Sequence, residues 1–216
     1  MDSKIDELYN SKKVDEAIHA LIEKIDKDPH NTDNYLQLST YLIDQGAGDQ
    51  AMQLLEKAKG LVKDSNALDY NLAVAYYTQG EFDKALNLLN NIPNDDLTLY
   101  QKALVYLKLG QNEKALAFAL SIKNVDDRVK ELLGDIWLAW GDLKAAKKSY
   151  DSISEDNRTA KIYFLLGVST YSESRDLAEK YFAKSKSLDE KYYNNAKDQY
   201  GSLMKLISQN KNKTQK

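Results

Sequence analysis

The stretch Gly80-Glu-Phe-Asp-Lys-Ala85-Leu decides the fold, because close copies of it recur along the chain. The copies share a glycine that precedes an alanine by five residues: Gly46 and Ala51, Gly110 and Ala115, and Gly141 and Ala146. Looser copies of the alanine frame occur at Ala17 and Ala178, so that successive alanines lie 34, 34, 30, 31 and 32 residues apart. A period in this range indicates one supersecondary unit that has been copied and stacked.

Each copy predicts a helix, a turn and a second helix. Apolar residues at helical spacing lead into each glycine, as Leu72, Ala73 and Tyr76 do before Gly80. Glycine suits the left-handed residue just past a helix end. The alanine then lies one turn into the second helix, where its small side chain lets the two helices approach closely. The sequence therefore predicts an all-α fold of about six antiparallel helix pairs.

The units and the end of the chain can be placed from the same pattern. The predicted units cover about residues 2–31, 32–65, 66–95, 96–126, 127–159 and 160–190. A last helix over 191–208, with Tyr193, Ala196 and Tyr200 on one apolar stripe, fits a cap on the exposed end of the stack. Residues 209–216 are polar and predict a disordered tail. We therefore expect one solenoid domain over 1–208.

Composition excludes several classes of protein. The net charge is −3 and there is no cysteine among the 216 residues, which excludes disulfides and thiolate chemistry. A nucleic-acid binder normally presents a basic face, whereas acidic and basic residues alternate here. No signal segment and no run of about 18 apolar residues is present. We expect a cytoplasmic protein that neither binds nucleic acid nor inserts directly into a membrane.

Catalytic and metal-binding patterns are missing as well. The two histidines, His19 and His30, are predicted to lie on the surface and form no triad or metal site. The acid pairs Asp95-Asp96 and Asp126-Asp127 precede helices and are interpreted as caps. No glycine-rich phosphate loop occurs. The sequence predicts neither enzymatic activity nor a cofactor.

The third unit carries a family resemblance. Leu72-Ala73 stands where the tetratricopeptide repeat has its Leu-Gly pair, Tyr76 at the first-helix tyrosine and Gly80 at the turn, and the pair is literal in Leu133-Gly134 and Leu166-Gly167. The chain thus resembles the tetratricopeptide repeat family over nearly its whole length, although the opening tryptophan of the repeat is absent. The resemblance implies a right-handed superhelical solenoid whose concave groove is lined by the first helices.

The same resemblance places a set of side chains in that groove. They are Leu36, Thr40, Ile43, Tyr70, Val74, Tyr77, Tyr100, Leu104, Leu107, Phe164, Val168 and Tyr171, with Glu131, Asp135 and Leu138 in the fifth unit. The set is apolar and rich in tyrosine, and carboxylates occur only in the fifth unit. Such a surface suits an apolar or amphipathic segment of a partner protein.

The leading hypothesis is therefore a non-catalytic scaffold or adaptor that binds a partner segment in the groove. Three alternatives stay open: the side chains belong to the core, the last helix or a second copy of the chain fills the groove, or the chain is an accessory subunit of a membrane-associated complex. A clamp for the terminal carboxylate of a partner is not predicted, because the positions that would hold it carry Leu36, Tyr70 and Tyr100. A homo-oligomer is compatible with the second alternative.

Overall fold

The computed structural model describes the backbone of residues 2–213 and the side chains of residues 2–201, and every regular element within them is helical. Thirteen α-helices follow one another in this part of the chain: α1 (Ser3–Asn10), α2 (Val14–Lys27), α3 (Thr32–Asp44), α4 (Gly48–Ala58), α5 (Asp69–Thr78), α6 (Phe82–Asn90), α7 (Asp96–Lys108), α8 (Asn112–Leu120), α9 (Asp127–Trp140), α10 (Leu143–Asp151), α11 (Ala160–Thr170), α12 (Arg175–Leu188) and α13 (Glu190–Lys213). Short 3-10 segments lie at Ser65–Leu68 and Glu155–Asn157. The predicted all-α class is confirmed.

The helices fall into two compact units, one that ends at Gln111 and one that begins at Asn112. The first unit holds α1–α7 and the second holds α8–α13. Within the first unit α5 packs against α3, α4 and α6, and within the second α11 packs against α10 and α12. The single domain expected over residues 1–208 stays a prediction.

The turn glycines adopt the conformation that their spacing predicts. Gly46, Gly80, Gly110 and Gly141 have φ angles of 76°, 77°, 70° and 87°. At Gly80 the turn is closed by the amide of Glu81, which donates to the carbonyl of Tyr76 at 2.9 Å. Left-handed backbone of this kind places no Cβ against the preceding carbonyl when the residue is glycine. Glycine therefore suits these four positions because it adopts the left-handed backbone conformation of the turn without strain.

The first helix pair makes the same turn without glycine. Lys12 precedes Ala17 by five residues and has a φ of 63°, and the amide of Lys13 donates to the carbonyl of Leu8 at 3.0 Å. A left-handed residue with a Cβ is destabilising by about 1–2 kcal/mol. The turn thus carries local strain that its four glycine counterparts avoid.

The alanine of each repeat lies at the contact between two helices. All six, Ala17, Ala51, Ala85, Ala115, Ala146 and Ala178, are completely buried. A larger side chain at such a contact would have to displace its neighbours, because protein interiors are close-packed. This burial confirms the register that the sequence predicted.

The helix caps follow the sequence closely. The Oδ1 atom of Asp95 accepts the amide of Thr98 at 2.8 Å, and Oδ1 of Asp126 accepts the amide of Val129 at 3.0 Å, which confirms their interpretation as caps. The cap of α3 is Asn31, whose side chain accepts the amide of Asp33 at 3.0 Å.

The last helix is longer than the sequence predicted. α13 has 24 residues and ends at Lys213, beyond the expected end at 208. Residues 209–213 contain no glycine or proline that would stop a helix, so the tail that was predicted to be disordered is helical as far as Lys213. Residues 214–216 lie outside the described residues. Nowhere in residues 2–213 is a helix both long and apolar enough to span a membrane.

The two tryptophans of the chain lie together at the end of α9. The rings of Trp137 and Trp140 stack with centroids 5.7 Å apart and planes 12° apart. Trp137 packs against the core cluster of the second unit, whereas Trp140 is 45% exposed. The pair therefore connects the core of this unit with its surface.

Candidate functional site

The structure places nine of the predicted groove residues on successive first helices of the first unit. We call this set the first-helix face: Leu36, Thr40 and Ile43 on α3, Tyr70, Val74 and Tyr77 on α5, and Tyr100, Leu104 and Leu107 on α7. Thr40 is exposed and the other eight are half-buried. α5 packs against both α3 and α7, and in each helix the three positions recur at the spacing of one helical side. The face thus lies between the solvent and the core.

A side chain that the sequence did not single out holds α5 against α3. The Nδ2 atom of Asn71 lies 3.1 Å from the carbonyl oxygen of Leu36, 2.9 Å from Oγ of Ser39 and 3.1 Å from Oγ1 of Thr40. An amide group has two N–H donors, so these three acceptors share them. The contacts fix the distance between the two helices at the first-helix face. A polar residue between Tyr70 and Leu72 was the one signal of this role.

The tyrosines of the face also contribute to the core. Tyr70 and Tyr77 pack against a buried cluster that contains Ala73, Ala85 and Leu89. The ring of Tyr77 lies 5.9 Å from the ring of Phe82. Each of these tyrosines therefore stabilises the helix pair with one part of its ring and presents the rest at the surface, as suits an aromatic residue with a polar hydroxyl.

In the second unit the two predicted groove carboxylates are engaged by a lysine of the next first helix. Nζ of Lys161 lies 2.6 Å from Oε1 of Glu131 and 2.8 Å from Oδ2 of Asp135. The other oxygen of Asp135 accepts a hydrogen bond from the hydroxyl of Tyr150 at 2.7 Å. These acids therefore form an internal network and do not present unpaired charges to a partner.

The pKa values of Lys161 and Tyr150 are consistent with this network. Desolvation disfavours the charged form of Lys161, but Asp135 and Glu131 outweigh it and raise the pKa of the ammonium group above its usual range. Burial, followed by the charge of Asp135, raises the pKa of the Tyr150 hydroxyl far above its usual range. The ammonium group and the phenol thus both keep their protons at neutral pH.

In the last helix pair, α11 and α12, Phe164 is buried, although it was predicted to line the groove. Phe164 is 3% exposed, and its ring centroid lies 5.4 Å from Phe182, 6.0 Å from Tyr193 and 5.4 Å from Tyr200. Two of these three rings belong to α13. The prediction of an accessible Phe164 is therefore wrong, because the last helix packs over it, as one of the alternatives supposed.

Val168 and Tyr171 line a cleft between α11, α12 and α13, which we call the α13 cleft. It has a volume of about 480 Å³ and is lined by Phe164, Val168, Tyr171, Glu179, Phe182, Tyr193, Lys197, Tyr200 and Gly201. Tyr171 is 45% exposed, and the guanidinium group of Arg175 lies 5.6 Å from its ring centroid. Of the residues contributed by α13, Tyr193 and Tyr200 had a sequence signal, the apolar stripe of the last helix, whereas Lys197 and Gly201 had none.

Leu138 and the histidines complete the predicted set. Leu138 is half-buried and packs against the core cluster of the second unit. His19 and His30 lie at the surface as predicted, and Nδ1 of His30 lies 2.7 Å from the carbonyl oxygen of Leu61. Among the residues that the structure describes, no group of three or more acidic, histidine or cysteine side chains is placed to hold a metal ion.

Comparison with known families gives one consistent result. Models of the tetratricopeptide repeat match residues 8–69, 42–105 and 98–121, which together are just over half of the chain. A TPR repeat-containing protein of Methanocaldococcus jannaschii is 31% identical over 166 residues. That match covers 68% of this chain but only 29% of the relative, so the chain is similar to one part of a longer protein.

Solved structures show the same fold at low sequence identity. A chain of the APC/C hetero-tetramer Cut9-Hcn1 superposes with a TM-score of 0.74 and 14% identity, over 85% of this chain and 38% of that one. PilF of Pseudomonas aeruginosa gives a TM-score of 0.69 and 17% identity, over 91% of this chain and 95% of its own. At these identities the likeness concerns the fold alone.

Proposed function

Because the chain belongs to the tetratricopeptide repeat family, we propose that it is a non-catalytic scaffold that binds an apolar or amphipathic segment of a partner protein on its first-helix face. The proposal includes a cytoplasmic location and no cofactor. The observation that carries it is the face itself: nine side chains on three consecutive first helices, eight of them half-buried and none of them charged.

The chemistry of the face defines the segment that it would accept. Aliphatic side chains such as Val74 and Leu104 offer apolar contact, and the tyrosines add hydroxyl groups that bind polar backbone at little entropic cost. Since no charged side chain belongs to the set, affinity would come from apolar side chains of the partner. The repeat spacing of Leu36, Tyr70 and Tyr100 suits a segment that crosses several first helices.

The first unit is the better candidate for this role. Its face is half-buried and held by Asn71, whereas in the second unit Glu131 and Asp135 are paired with Lys161 and Phe164 lies under α13. The family and the fold of solved proteins, one of them a hetero-tetramer, favour protein binding in general.

A peptide selection tests the proposal. A displayed library of random peptides would be selected on the full chain, and the selected peptides would be measured on a variant with Val74→Arg and Leu104→Arg. We expect apolar or amphipathic peptides, and a loss of affinity of about tenfold or more in the variant, because two guanidinium groups would occupy the middle of the face.

The matched control carries Gln53→Arg and Asn87→Arg on exposed positions of α4 and α6. It adds the same charge away from the face and should bind as the unmodified chain does. Peptides that bind all three proteins equally, or that are selected for charge alone, would contradict the proposal. Circular dichroism of each variant would establish that the helices are retained.

A further inference from the structure

At two glycines of the second unit, an aromatic ring lies so close that there is no room for a Cβ atom. A Cβ atom at Gly134 would lie 2.3 Å from Cε1 of Tyr150, and a Cβ at Gly167 would lie 2.5 Å from Cε1 of Phe182. In both pairs, α9 with α10 and α11 with α12, the second helix thus seats an aromatic side chain directly on a glycine of the first helix. The two glycines lie 33 residues apart.

Gly201 follows Gly167 by 34 residues and continues this series. The surrounding residues keep the same register. Ile162 and Leu166 of α11 are buried in the core cluster of the unit, and the residues 34 positions later are Ala196, which is buried in that cluster, and Tyr200, which packs against it. Gly201 therefore has the position in α13 that Gly167 has in α11.

The contacts of α13 are those of a first helix. It packs against both α11 and α12, the helix pair that precedes it, just as α5 in the first unit packs against α3 and α4. The sequence predicted a cap in this place. The structure gives this helix the register and the neighbours of the first helix of a seventh pair.

Among the residues that the structure describes, none occupies the place of a second helix beside Gly201. A Cβ at Gly201 would meet no described atom within 4 Å, and the residue is exposed. Gly201 also lines the α13 cleft, whose walls include the rings of Phe182, Tyr193 and Tyr200. Glycine is otherwise unfavourable inside a helix, so its use here, without the ring that requires it at Gly134 and Gly167, points to a ring supplied from elsewhere.

We propose that Gly201 is the docking point for an amphipathic helix of another protein, which packs on α13 as α12 packs on α11. The helix carries a tyrosine or phenylalanine that contacts Gly201, in the manner of Tyr150 and Phe182. Its length is that of the second helices of the unit, 9 residues in α10 and 14 in α12. Glu179 and Lys197 at the cleft favour flanking charges of both signs. This site is separate from the first-helix face and does not depend on it.

The test uses α12 itself as a probe. A hydrocarbon-stapled, fluorescently labelled peptide of residues 174–189 would be titrated onto the full chain, with fluorescence anisotropy as the readout. A matched peptide with Phe182→Ala lacks the ring. We expect saturable binding of the first peptide and affinity lower by about tenfold or more for the second, because a buried aromatic anchor dominates such contacts.

A variant of the chain locates the binding. Gly201→Leu places a side chain where the ring should sit, and it should abolish binding while the helices are retained and the melting temperature does not fall, because the space is open and leucine favours a helix more than glycine does. Equal binding to this variant would overturn the proposal, since the peptide would then act elsewhere, for example by displacing α12 from Gly167. No saturable binding to the unmodified chain would overturn it as well.

The oligomeric state tests whether a second copy of the chain, and not another protein, occupies the site at Gly201. Sedimentation of the unmodified chain and of Gly201→Leu over a range of concentrations is expected to show the same mass for both. An association that is present in the unmodified chain and lost in the variant would overturn the assignment to another protein, because the occupant would be a second copy. Binding of the selected peptides to the first-helix face is measured independently, so the two proposals can fail separately.

Discussion

The first and second units use the same repeat positions in different ways. In the first unit Tyr70, Val74 and Leu104 stay half-buried at the surface, whereas in the second unit Phe164 is 3% exposed and Asp135 is bonded to two other side chains. The difference arises from the neighbours: Lys161 reaches back to the preceding first helix, and α13 brings Tyr193 and Tyr200 over Phe164. A repeat position defines which side of a helix a residue occupies, but the next helix decides whether that side is accessible.

The largest expected effect concerns the glycine that seats Tyr150. Gly134→Ala should lower the free energy of unfolding by about 2–3 kcal/mol, because the new methyl group would overlap the ring and force it to move. Urea denaturation followed by circular dichroism would measure it. In Gly201→Ala the same methyl group enters open space, and helix propensity should raise stability by about 0.5–1 kcal/mol. Equal effects at both positions would show that the two glycines are not in the distinct environments described.

Removing the lysine that engages the two acids should have a smaller effect. Lys161→Met is expected to destabilise the chain by about 1–2 kcal/mol, less than for a fully buried pair because the side chain of Lys161 is 39% exposed. The matched control is Lys27→Met, which breaks an exposed pair with Glu23 and should change stability by less than about 0.5 kcal/mol. The free energies of unfolding of the two variants and of the unmodified chain would be compared by urea denaturation. Similar values would mean that the network contributes no more than a surface ion pair.

The strained turn of the first unit offers a gain in stability. Lys12→Gly should raise the free energy of unfolding by about 0.5–1 kcal/mol, since relief of the left-handed Cβ exceeds the added chain entropy of glycine. Thermal unfolding would detect it. As a control, Glu7→Gly introduces glycine at an exposed position inside α1, where the backbone is helical, and should be destabilising. A loss of stability in Lys12→Gly would indicate that the lysine side chain makes a contact that outweighs the strain.

Alkaline pH should act on the tyrosines of the first unit. Burial, with the acceptors Asp6 and Glu56 adding to it, raises the pKa of Tyr41 and of Tyr76 to about 12 from the usual 10.0. Because the fold favours the protonated phenols, the stability that they contribute is complete below pH 10 and is lost as the pH rises toward 12. Ultraviolet titration of tyrosinate in Tyr76→Phe should lack one late-ionising group, and this variant should lose about 0.5–1 kcal/mol at neutral pH. An unchanged late phase would contradict the assignment to Tyr76.

The features that the sequence predicted correctly are local. The glycine turns, the buried alanines and the caps at Asp95 and Asp126 each depend on residues within a few positions of one another, so their spacing suffices. The family resemblance added the pairing of helices, and the comparisons confirm it.

The features that the sequence did not predict depend on residues that meet across about one repeat. Asn71 contacts α3 through residues 31–35 positions away, and Lys161 contacts Glu131 and Asp135 at separations of 30 and 26. A polar residue within a helix gives no sign of which neighbour it will meet. For the same reason the burial of Phe164 could not be distinguished from exposure until the position of α13 was known.

The stacked tryptophans allow the two units to be distinguished by their fluorescence. Both indole rings of the chain lie in α9, whereas its fifteen tyrosines are distributed over both units. Fluorescence excited where tyrosine does not absorb therefore reports on the second unit alone, and the close stacking should produce an exciton signal in the near-ultraviolet circular dichroism. Comparison of this emission with the far-ultraviolet signal during denaturation would reveal, without any label, whether the two halves of the chain lose their structure together or one after the other.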